Sequence, residues 1–451
     1  MYINYIIKLL LSLALTLLLI SCSTYTSKPL IDAEIDQTLS MPDVESINTI
    51  VSGFGKKNLP IIDFNKALTV QQLALLTVIT NPDLKALRAK NSVANAQVFE
   101  AGLLPDPQFT PLYEIPISSG VGVTPAYAFG LNWDIGSVVT KSLRESAAEF
   151  VRQQVHYDVA WQEWMTANQA ELLATHVYYL QQQIRLIEQE ITANKVYLDV
   201  LKVNLVNHDL KADEFNLQQS NFLDLQDQLL MARRLLDKTK LQLNQIVGLP
   251  PTAIIQLQIN PNQTLPHLNE SALFTYARHN RLDLLALQAG YNSQEIQLHQ
   301  AILGQFPHFN VGIYPGQDNT SNSYFGTNIS FDIPLFNRNQ GAIAIAKATR
   351  EQLYLEYIAR LHSTQSDIAI IVKEISWAKA QQNTINHEMP QLSDIDTAMY
   401  KQLKLGNITQ SYYLNAHTNV FNKRLKQLSL EQDIAEQRIA MQMLLGKYLG
   451  E

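Results

Sequence analysis

One pattern of residues occurs twice in this chain, at an offset close to 200, and no other feature limits the possible folds so strongly. The stretch DLKAL at 83–87 returns as DLLAL at 283–287. Further along, the offset settles at 198, with WDI at 133–135 repeated as FDI at 331–333, and IVG at 246–248 repeated as LLG at 444–446. A constant offset at so many landmarks predicts two structural repeats.

Each copy has the same predicted order of elements: a helix, two short strands, a very long helix, a tight reversal and a returning helix. Gly and Pro number only 17 each in 451 residues, so long uninterrupted elements are expected. The long helices, Ser137–Val206 and Gly341–Leu403, would extend about 105 and 95 Å at about 1.5 Å per residue. The predicted fold class is therefore mainly α with a small β part, built from duplicated long α-hairpins.

The first helix of the first copy, 66–103, is expected to break at Asn81-Pro82, because the residue before a proline avoids the helical conformation. Its counterpart, 271–304, is expected to be continuous. The returning helix after the first reversal carries a coiled-coil seam at 3-4 spacing. The seam residues are Phe215, Gln218, Phe222, Leu225, Leu229, Ala232, Leu236, Thr239, Leu243 and Ile246.

The two reversals are predicted at Asn207, His208 and Asp209 and at Leu405, Gly406 and Asn407. Gly406 can supply the left-handed backbone conformation that ends a helix. These reversals divide each repeat into its long and its returning helix. The predicted organisation has five segments: a signal peptide (1–21), a linker (22–65), the first repeat (66–250), an inter-repeat linker (251–270) and the second repeat (271–451).

The strands alternate between apolar residues, many of them aromatic, and small or polar residues. This alternation is typical of a barrel with lipid outside and water inside, although a half-buried soluble sheet has the same period. Strand one, around Phe109 to Ile117, has no firm extent because Pro111 and Pro116 cannot donate to a ladder. The predicted membrane-facing residues are Phe129, Leu131, Trp133, Val311, Ile313, Ile329 and Phe331.

Four strands are too few to close a barrel, since about eight are needed even for a filled one. Closure must therefore come from several copies of the chain. Two copies would give eight strands and a plugged interior, and three would give twelve strands with room for a lumen. A homotrimer is the smallest assembly expected to enclose a water-filled pore.

The N-terminus has one cation, Lys8, and an apolar run that ends at Ile20, which is typical of a secretory signal. The run is followed by Ser21-Cys22, which resembles the lipobox of bacterial lipoproteins, where the cysteine carries the lipid. Cys22 is the only cysteine, so disulfides, zinc-thiolate sites and cysteine nucleophiles are excluded. Lipidation at Cys22, including palmitate, is predicted, and Ser23 after it is typical of sorting to the outer membrane.

Composition and motifs exclude several other function classes. A net charge of -7 without a basic face argues against nucleic-acid binding. The ten histidines are scattered without metal-ligand spacing and are interpreted as solvated helix residues. Neither a phosphate-binding loop nor a nucleophile elbow is present. We therefore expect no enzymatic activity, no cofactor and no metal site.

Four groups of residues are distinctive: NPDLKALRAKNSVANAQVFEAGLLPDPQF from Asn81, FDIPLFNRNQGAIAIAKA from Phe331, KLGNITQSYYLNAHT from Lys404 and the two helix ends LNQIVGLP and MLLGKYLG. These stretches resemble the TolC-like outer-membrane efflux proteins, and most of all the branch that serves heavy-metal efflux systems. The resemblance covers about 66–450. It implies a homotrimer in outer-membrane lipid, with a twelve-stranded barrel, a periplasmic helical tunnel, and docking of the reversals onto a periplasmic adaptor and an inner-membrane pump.

Alternatives to a metal-efflux channel remain open at this point. Within the family, a drug-efflux or type I secretion channel is the nearest one. A periplasmic coiled-coil structural lipoprotein would share the lipobox and the seam, but would not require two-faced strands at equivalent positions of a duplication. In the family, the tunnel closes at its periplasmic tip, and Asp394 and Asp396 are the candidate gate carboxylates, of which at most one is expected to face the axis.

Overall fold

The protein is described by a computed structural model that covers residues 25–53, 59–117, 120, 122–260 and 268–449. The predicted signal peptide (1–21) and Cys22 lie outside the described residues. The predicted linker 22–65 contains two helices, α1 (Asp32–Leu39) and α2 (Val44–Gly53). Helix α1 belongs to a separate N-terminal unit that ends at Pro42, and none of its residues is buried.

The first repeat follows the predicted order of elements. It begins with a two-residue strand β1 (Leu68–Thr69) and two short helices, α3 (Val70–Thr80) and α4 (Pro82–Ala101). Strands β2 (Gln108–Glu114) and β3 (Ala126–Asp134) come next, then the long helix α5 (Ile135–Val206) and the returning helix α6 (Ala212–Val247). The predicted break at Asn81-Pro82 lies between α3 and α4.

The second repeat has the same order. A two-residue strand β4 (Leu257–Gln258) precedes α7 (Glu270–Asn280) and α8 (Leu282–Leu303), then β5 (Phe309–Gln317), β6 (Ser323–Phe331), α9 (Gln340–Lys404) and α10 (Gln410–Leu445). The expectation of one continuous helix over 271–304 is wrong, because the helix breaks at Arg281 without a proline.

Each repeat builds its own hydrophobic core beside the helix break, and the two cores use equivalent positions. In the first repeat, Ala170 and Val177 of α5 pack with Leu243 and Val247 of α6 and with α3. The residues 198 positions later are Ile368 and Ile375 of α9 and Met441 and Leu445 of α10, which form the second core with α7. This correspondence confirms the predicted fold class of internally duplicated α-hairpins.

The two repeats are joined along several contacts, the most extensive of which lies between α5 and α8. The linker strand β4 pairs in parallel with β1, with Leu257 opposite Leu68. Helix α5 lies against α10 of the second hairpin, and a third core cluster at this contact contains Ile187 and Phe421. The four longer strands form one antiparallel sheet in the order β2-β3-β5-β6, in which β3 and β5 come from different repeats.

The seam predicted along α6 faces the rest of the hairpin. Every one of its ten residues is buried or half-buried, including Gln218 and Thr239 at the positions without apolar residues.

Within the part of the chain that the structure describes, no helix is both long enough and apolar enough to cross a membrane.

Candidate functional site

The four-stranded sheet exposes a continuous apolar face. All seven residues predicted to face the membrane are on it, with exposed fractions between 41% for Ile313 and 69% for Ile329. They lie next to one another through the strand register, since Leu131 is opposite Ile313 and Val311 is opposite Ile329. Aromatic rings are in contact on this face, as for Phe309 and Phe331. An exposed apolar patch of this kind marks an interaction surface for lipid or protein.

The opposite face of the sheet is polar and is organised around a glycine. Asn132, Gly312 and Asn328 are aligned across β3, β5 and β6. The Asn328 Nδ2 donates to Asn132 Oδ1 at 2.9 Å over the glycine. A Cβ at position 312 would come within 2.1 Å of Asn132 Oδ1, so only glycine admits this bridge. The two faces therefore have opposite polarity, as the alternation in the sequence predicts.

Both outer edges of this sheet are free of partners within the described residues. Strand β2 is one edge and contains Pro111, which is opposite Phe129 and is tolerated because an edge strand has one side without ladder partners. Pro116 lies beyond the end of the strand. Strand β6 is the other edge. Unpaired edges of this length are templates for pairing with another chain.

The connections between strands and long helices are held by local hydrogen bonds. Asp134 caps α5 by accepting from the backbone N–H and the hydroxyl of Ser137. In the second repeat, Arg338 and Asn339 adopt positive φ angles of 43° and 53° just before α9. The Asn339 Nδ2 donates to the carbonyl of Ala301 at 2.7 Å, which ties this turn to the end of α8.

The two reversals lie where they are predicted, and all six predicted residues are exposed. Their backbones are equivalent, since the N–H of Asp209 donates to the carbonyl of Asn204 and the N–H of Asn407 donates to that of Gln402. Gly406 has a φ of 74°, and His208, at the same position of the first repeat, has a φ of 66°. The tips are thus two similar exposed turns at the ends of the hairpins.

The candidate gate carboxylates lie on different sides of α9. Asp394 is exposed, whereas Asp396 contacts the imidazole of His417 on α10, with 2.9 Å between Asp396 Oδ1 and His417 Nδ1. The other ring nitrogen of His417 lies 3.3 Å from Oε2 of Glu190 on α5. The imidazole therefore connects three helices near the hairpin tips.

Two further acid-base contacts follow the boundary between α5 and α10. Arg438 donates to the buried carboxylate of Glu171 at 2.8 Å and also to Gln442. His176 lies 2.8 Å from Glu436. We call these contacts, together with Glu190 and His417, the inter-repeat seam.

The inter-repeat seam raises the pKa of both of its histidines. The hydrogen bond to Glu190, together with Asp396, raises the pKa of His417 to about 9, although burial opposes the charge. The hydrogen bond to Glu436 likewise raises the pKa of His176. Both side chains are half-buried, so the interpretation of these two histidines as solvated helix residues is wrong.

The inter-repeat seam could not be recognised from the sequence, because its contacts depend on the register between two helices that are more than 200 residues apart. A search for an acid opposite each helix histidine would have found the pairs once that register was known. Among the described residues, no group of three or more His, Cys, Asp or Glu side chains is arranged to hold a metal ion.

Comparisons with known proteins identify the fold. Residues 273–447 match the family profile described as outer membrane efflux protein. A search of curated proteins finds no match. Among solved structures, CusC, whose structures concern transmembrane channel formation, is 15% identical, with a TM-score of 0.71 over 87% of this chain and 95% of its own.

Two other solved structures are similar to the same extent. The outer membrane protein VceC of Vibrio cholerae is 14% identical, with a TM-score of 0.71 over 84% of this chain and 96% of its own. The Campylobacter jejuni CmeC outer membrane channel is 13% identical, with a TM-score of 0.70 over 85% and 87%. Residues 273–447 are therefore similar to outer membrane efflux proteins, and the chain has the fold of the TolC-like outer-membrane efflux proteins.

Proposed function

We propose that this protein is the outer-membrane channel of a tripartite efflux system and acts as a passive exit duct. One observation carries the proposal: an open sheet with an exposed apolar face leads through short connections into two hairpins whose long helices have 72 and 65 residues. At about 1.5 Å per residue, those helices extend about 100 Å beyond the sheet. A membrane-inserted sheet with a long helical extension is suited to conduct solutes across the periplasm.

The sheet edges support closure by three copies of the chain. Because consecutive strands are antiparallel, β2 and β6 run in opposite directions. Strand β6 of one copy can therefore pair with β2 of the next in the antiparallel sense, by a rotation that is repeated around an axis. Three copies supply twelve strands, enough for a barrel with a lumen.

The exposed tips are proposed to contact a periplasmic adaptor, which in turn connects to an inner-membrane pump. Asn207, His208 and Asp209 present polar and acidic groups at one tip, and Leu405, Gly406 and Asn407 form the other.

Of the two gate candidates, Asp394 is the one whose carboxylate has no partner on its own chain among the described contacts. A ring of three Asp394 carboxylates would favour cations.

We propose metal ions as the exported substrate, on the basis of the stretches that resemble the heavy-metal branch. A drug-efflux or type I secretion channel is the second candidate, because an open aqueous duct selects poorly.

Cys22 is proposed to carry a lipid anchor. A Cys22→Ser variant should lose acyl labelling and cleavage at that site, and normal labelling of the variant would contradict this assignment.

A pair of neighbouring substitutions tests the channel. Leu131 and Asn132 lie on opposite faces of β3, so Leu131→Lys places a charge on the proposed lipid face and Asn132→Lys places it on the proposed lumen face. We expect Leu131→Lys to lower the yield of membrane-inserted trimer strongly, because a lipid-facing charge costs about 2 kcal/mol or more per chain. Asn132→Lys should insert and conduct ions in planar bilayers.

The controls are designed to separate assembly from conduction. Wild-type protein should require detergent, behave as a trimer and conduct ions. A detergent-free monomer, or equal insertion of the two lysine variants, would contradict the proposal.

Deletion strains then identify the substrate. Greater sensitivity to metal salts favours metal efflux, and greater sensitivity to drugs favours the second candidate.

A further inference from the structure

A groove of about 480 Å³ lies between α5, α6 and the inter-repeat segment 253–259, apart from the sheet face and the tips. Its floor is apolar, since Val177 and Leu243 are 3% and 1% exposed. About one turn closer to the hairpin tip on each helix, Gln181 and Lys240 form the rim. The groove thus has an apolar bottom and a polar margin.

The segment 253–259 has the alternation of a strand that lies on helices. Every second side chain is half-buried and packs against the core of the first repeat, namely Ala253, Ile255, Leu257 and Ile259. The residues between them are exposed, and Ile254 is 89% exposed. Side chains that alternate between core and solvent indicate an extended backbone, whose N–H and C=O groups point sideways along the two edges.

Only the end of this segment has a ladder partner. Strand β4 pairs in parallel with the two residues of β1, and the N–H of Leu68 donates to the carbonyl of Gln256 at 2.8 Å. Because alternate residues of a strand bond to one neighbour, the backbone groups of Leu257 point away from β1. Among the described contacts, Ile254 and Ile255 make no backbone hydrogen bond. The segment therefore has an unpaired edge, which is a template for another strand.

The start of the segment is held in place by a buried side chain. Asn244 is 4% exposed, and its Nδ2 donates to the carbonyl of Ala253 at 2.9 Å and lies within 3.5 Å of the carbonyls of Pro250 and Pro251. The N–H of Ala253 in turn donates to the carbonyl of Pro250 at 3.0 Å. An edge that is fixed before binding loses little conformational entropy when a partner pairs with it.

The groove also selects the side chains of a partner strand. Lys240 is the only charged residue that lines it, so the rim favours a carboxylate. Val177 and Leu243 on the floor favour an apolar side chain. Residues two positions apart lie on the same face of a strand. A matching partner therefore has an apolar residue two positions from an acidic one.

We propose that this groove and the edge beside it bind an extended acidic peptide segment of another protein, which adds a strand to 253–259. Backbone pairing along the edge supplies affinity, and the groove accepts one apolar side chain next to a carboxylate that contacts Lys240. A small apolar ligand would fill the floor but leave the backbone groups unpaired. The surface lies apart from the sheet and the tips, so its occupation does not depend on conduction.

The test is fluorescence anisotropy of a dye-labelled, capped peptide, Thr-Val-Thr-Glu-Thr-Val-Thr, added to the full-length protein in a neutral detergent. We expect saturable binding to the wild type and about 5-fold weaker binding to Lys240→Gln, the value of one exposed ion pair. The matched control is Lys238→Gln, which removes an exposed cation of the same helix outside the groove and should bind like the wild type. With glutamine in place of the peptide's glutamate, all three proteins should bind alike.

A second probe tests the backbone pairing. A depsipeptide with the same side chains, in which ester links replace the amides, lacks the N–H donors and should bind at least about 10-fold more weakly. Equal binding of the two probes, or no binding of the peptide to the wild type, would overturn the proposal. Equal binding of the peptide to Lys240→Gln and Lys238→Gln would overturn the assignment of an acidic partner.

Size-exclusion chromatography of the same samples identifies the occupant. An oligomer that keeps its size when the peptide binds supports a partner of another kind. Dissociation by the peptide would show that a second copy of this chain occupies the edge, which overturns the assignment to another protein. Neither measurement uses conductance, so a channel that conducts without binding the peptide refutes only this surface, and peptide binding without conductance refutes only the channel.

Discussion

In each repeat, the break between the two short helices lies beside the end of the returning helix, and we call this place the joint. The two repeats stabilise their joints with different chemistry. In the first, Asn81 ends α3, accepts from the N–H of Leu84 and donates to the carbonyl of Ile246 at 2.7 Å. In the second, Arg281 takes this place and donates through Nε and Nη2 to Asp283, at 2.7 and 3.0 Å. One joint is a polar cap on the backbone, and the other is a buried ion pair.

The glycine that ends each returning helix differs in the same way. A Cβ on Gly248 would lie 2.7 Å from the carbonyl oxygen of Thr80, whereas the nearest atom to a Cβ on Gly446 would be 3.7 Å away. The first joint is therefore packed backbone against backbone, and the second is looser and depends on side chains. The two repeats thus share the path of the chain but differ in the contacts that stabilise each joint.

The largest expected effect comes from breaking the ion pair of the second joint. Arg281→Met leaves the buried carboxylate of Asp283 without its bidentate partner, although Arg360 remains 3.5 Å away. We expect a loss of about 3 to 5 kcal/mol in the free energy of unfolding. Asn81→Ala at the first joint should cost about 1 to 2 kcal/mol, the value of a helix cap. Denaturant unfolding of the detergent-solubilised protein measures both, and equal losses would remove the distinction between the joints.

The second prediction concerns the two helix-ending glycines. Both have positive φ angles, 80° for Gly248 and 69° for Gly446, so alanine is strained at either position. Gly248→Ala adds a collision with the backbone of Thr80 and should cost about 3 kcal/mol, against about 1 kcal/mol for Gly446→Ala. Thermal unfolding of the two variants compares them directly. A larger loss for Gly446→Ala would show that the first joint can relax.

The third prediction concerns the inter-repeat seam between α5 and α10. The pKa of His417 is raised from its ordinary value of 6.5 to about 9, so the contribution of protonated His417 is complete below pH 6.5 and is lost as the pH rises through 9. The loss should be about 2 kcal/mol after allowance for solvent at this half-buried site.

Unfolding free energies measured between pH 6 and 10 test this expectation. His417→Gln should flatten most of the decline, and the remainder belongs to His176, whose pKa is raised in the same direction. An unchanged slope in the variant would show that His417 does not stabilise the contact between the hairpins.

The smallest expected effect is at the reversals. His208 holds a left-handed conformation that Gly406 adopts without steric cost. His208→Gly should therefore stabilise the first hairpin by about 0.5 to 1 kcal/mol, after the entropy that glycine adds to the unfolded chain. Gly406→His should destabilise the second hairpin by a similar amount. Differential scanning calorimetry resolves the two shifts, and a loss of stability in His208→Gly would indicate a side-chain contact at that tip.

Local patterns were sufficient to predict most elements of the fold. The strand alternation placed seven apolar residues on one exposed face, and the proline at 82 marked a helix break. The second break was missed because Arg281 carries no local signal, and its conformation depends on Asp283 and on Thr364, which lies 83 positions away. Helix α2 within the linker 22–65 was missed for a similar reason, since its Ile47 and Val51 are buried in the core of the first repeat.

The sequence by itself determined the duplication, the length of the hairpins and the two polarities of the sheet, because each follows from periodicity over neighbouring residues. Only the tertiary structure decided which charges meet. Glu171 and Arg438, or Glu190 and His417, are far apart in the chain, and their contact depends on the register of α5 against α10. That register follows from packing of both hydrophobic cores at once, which no single stretch of residues encodes.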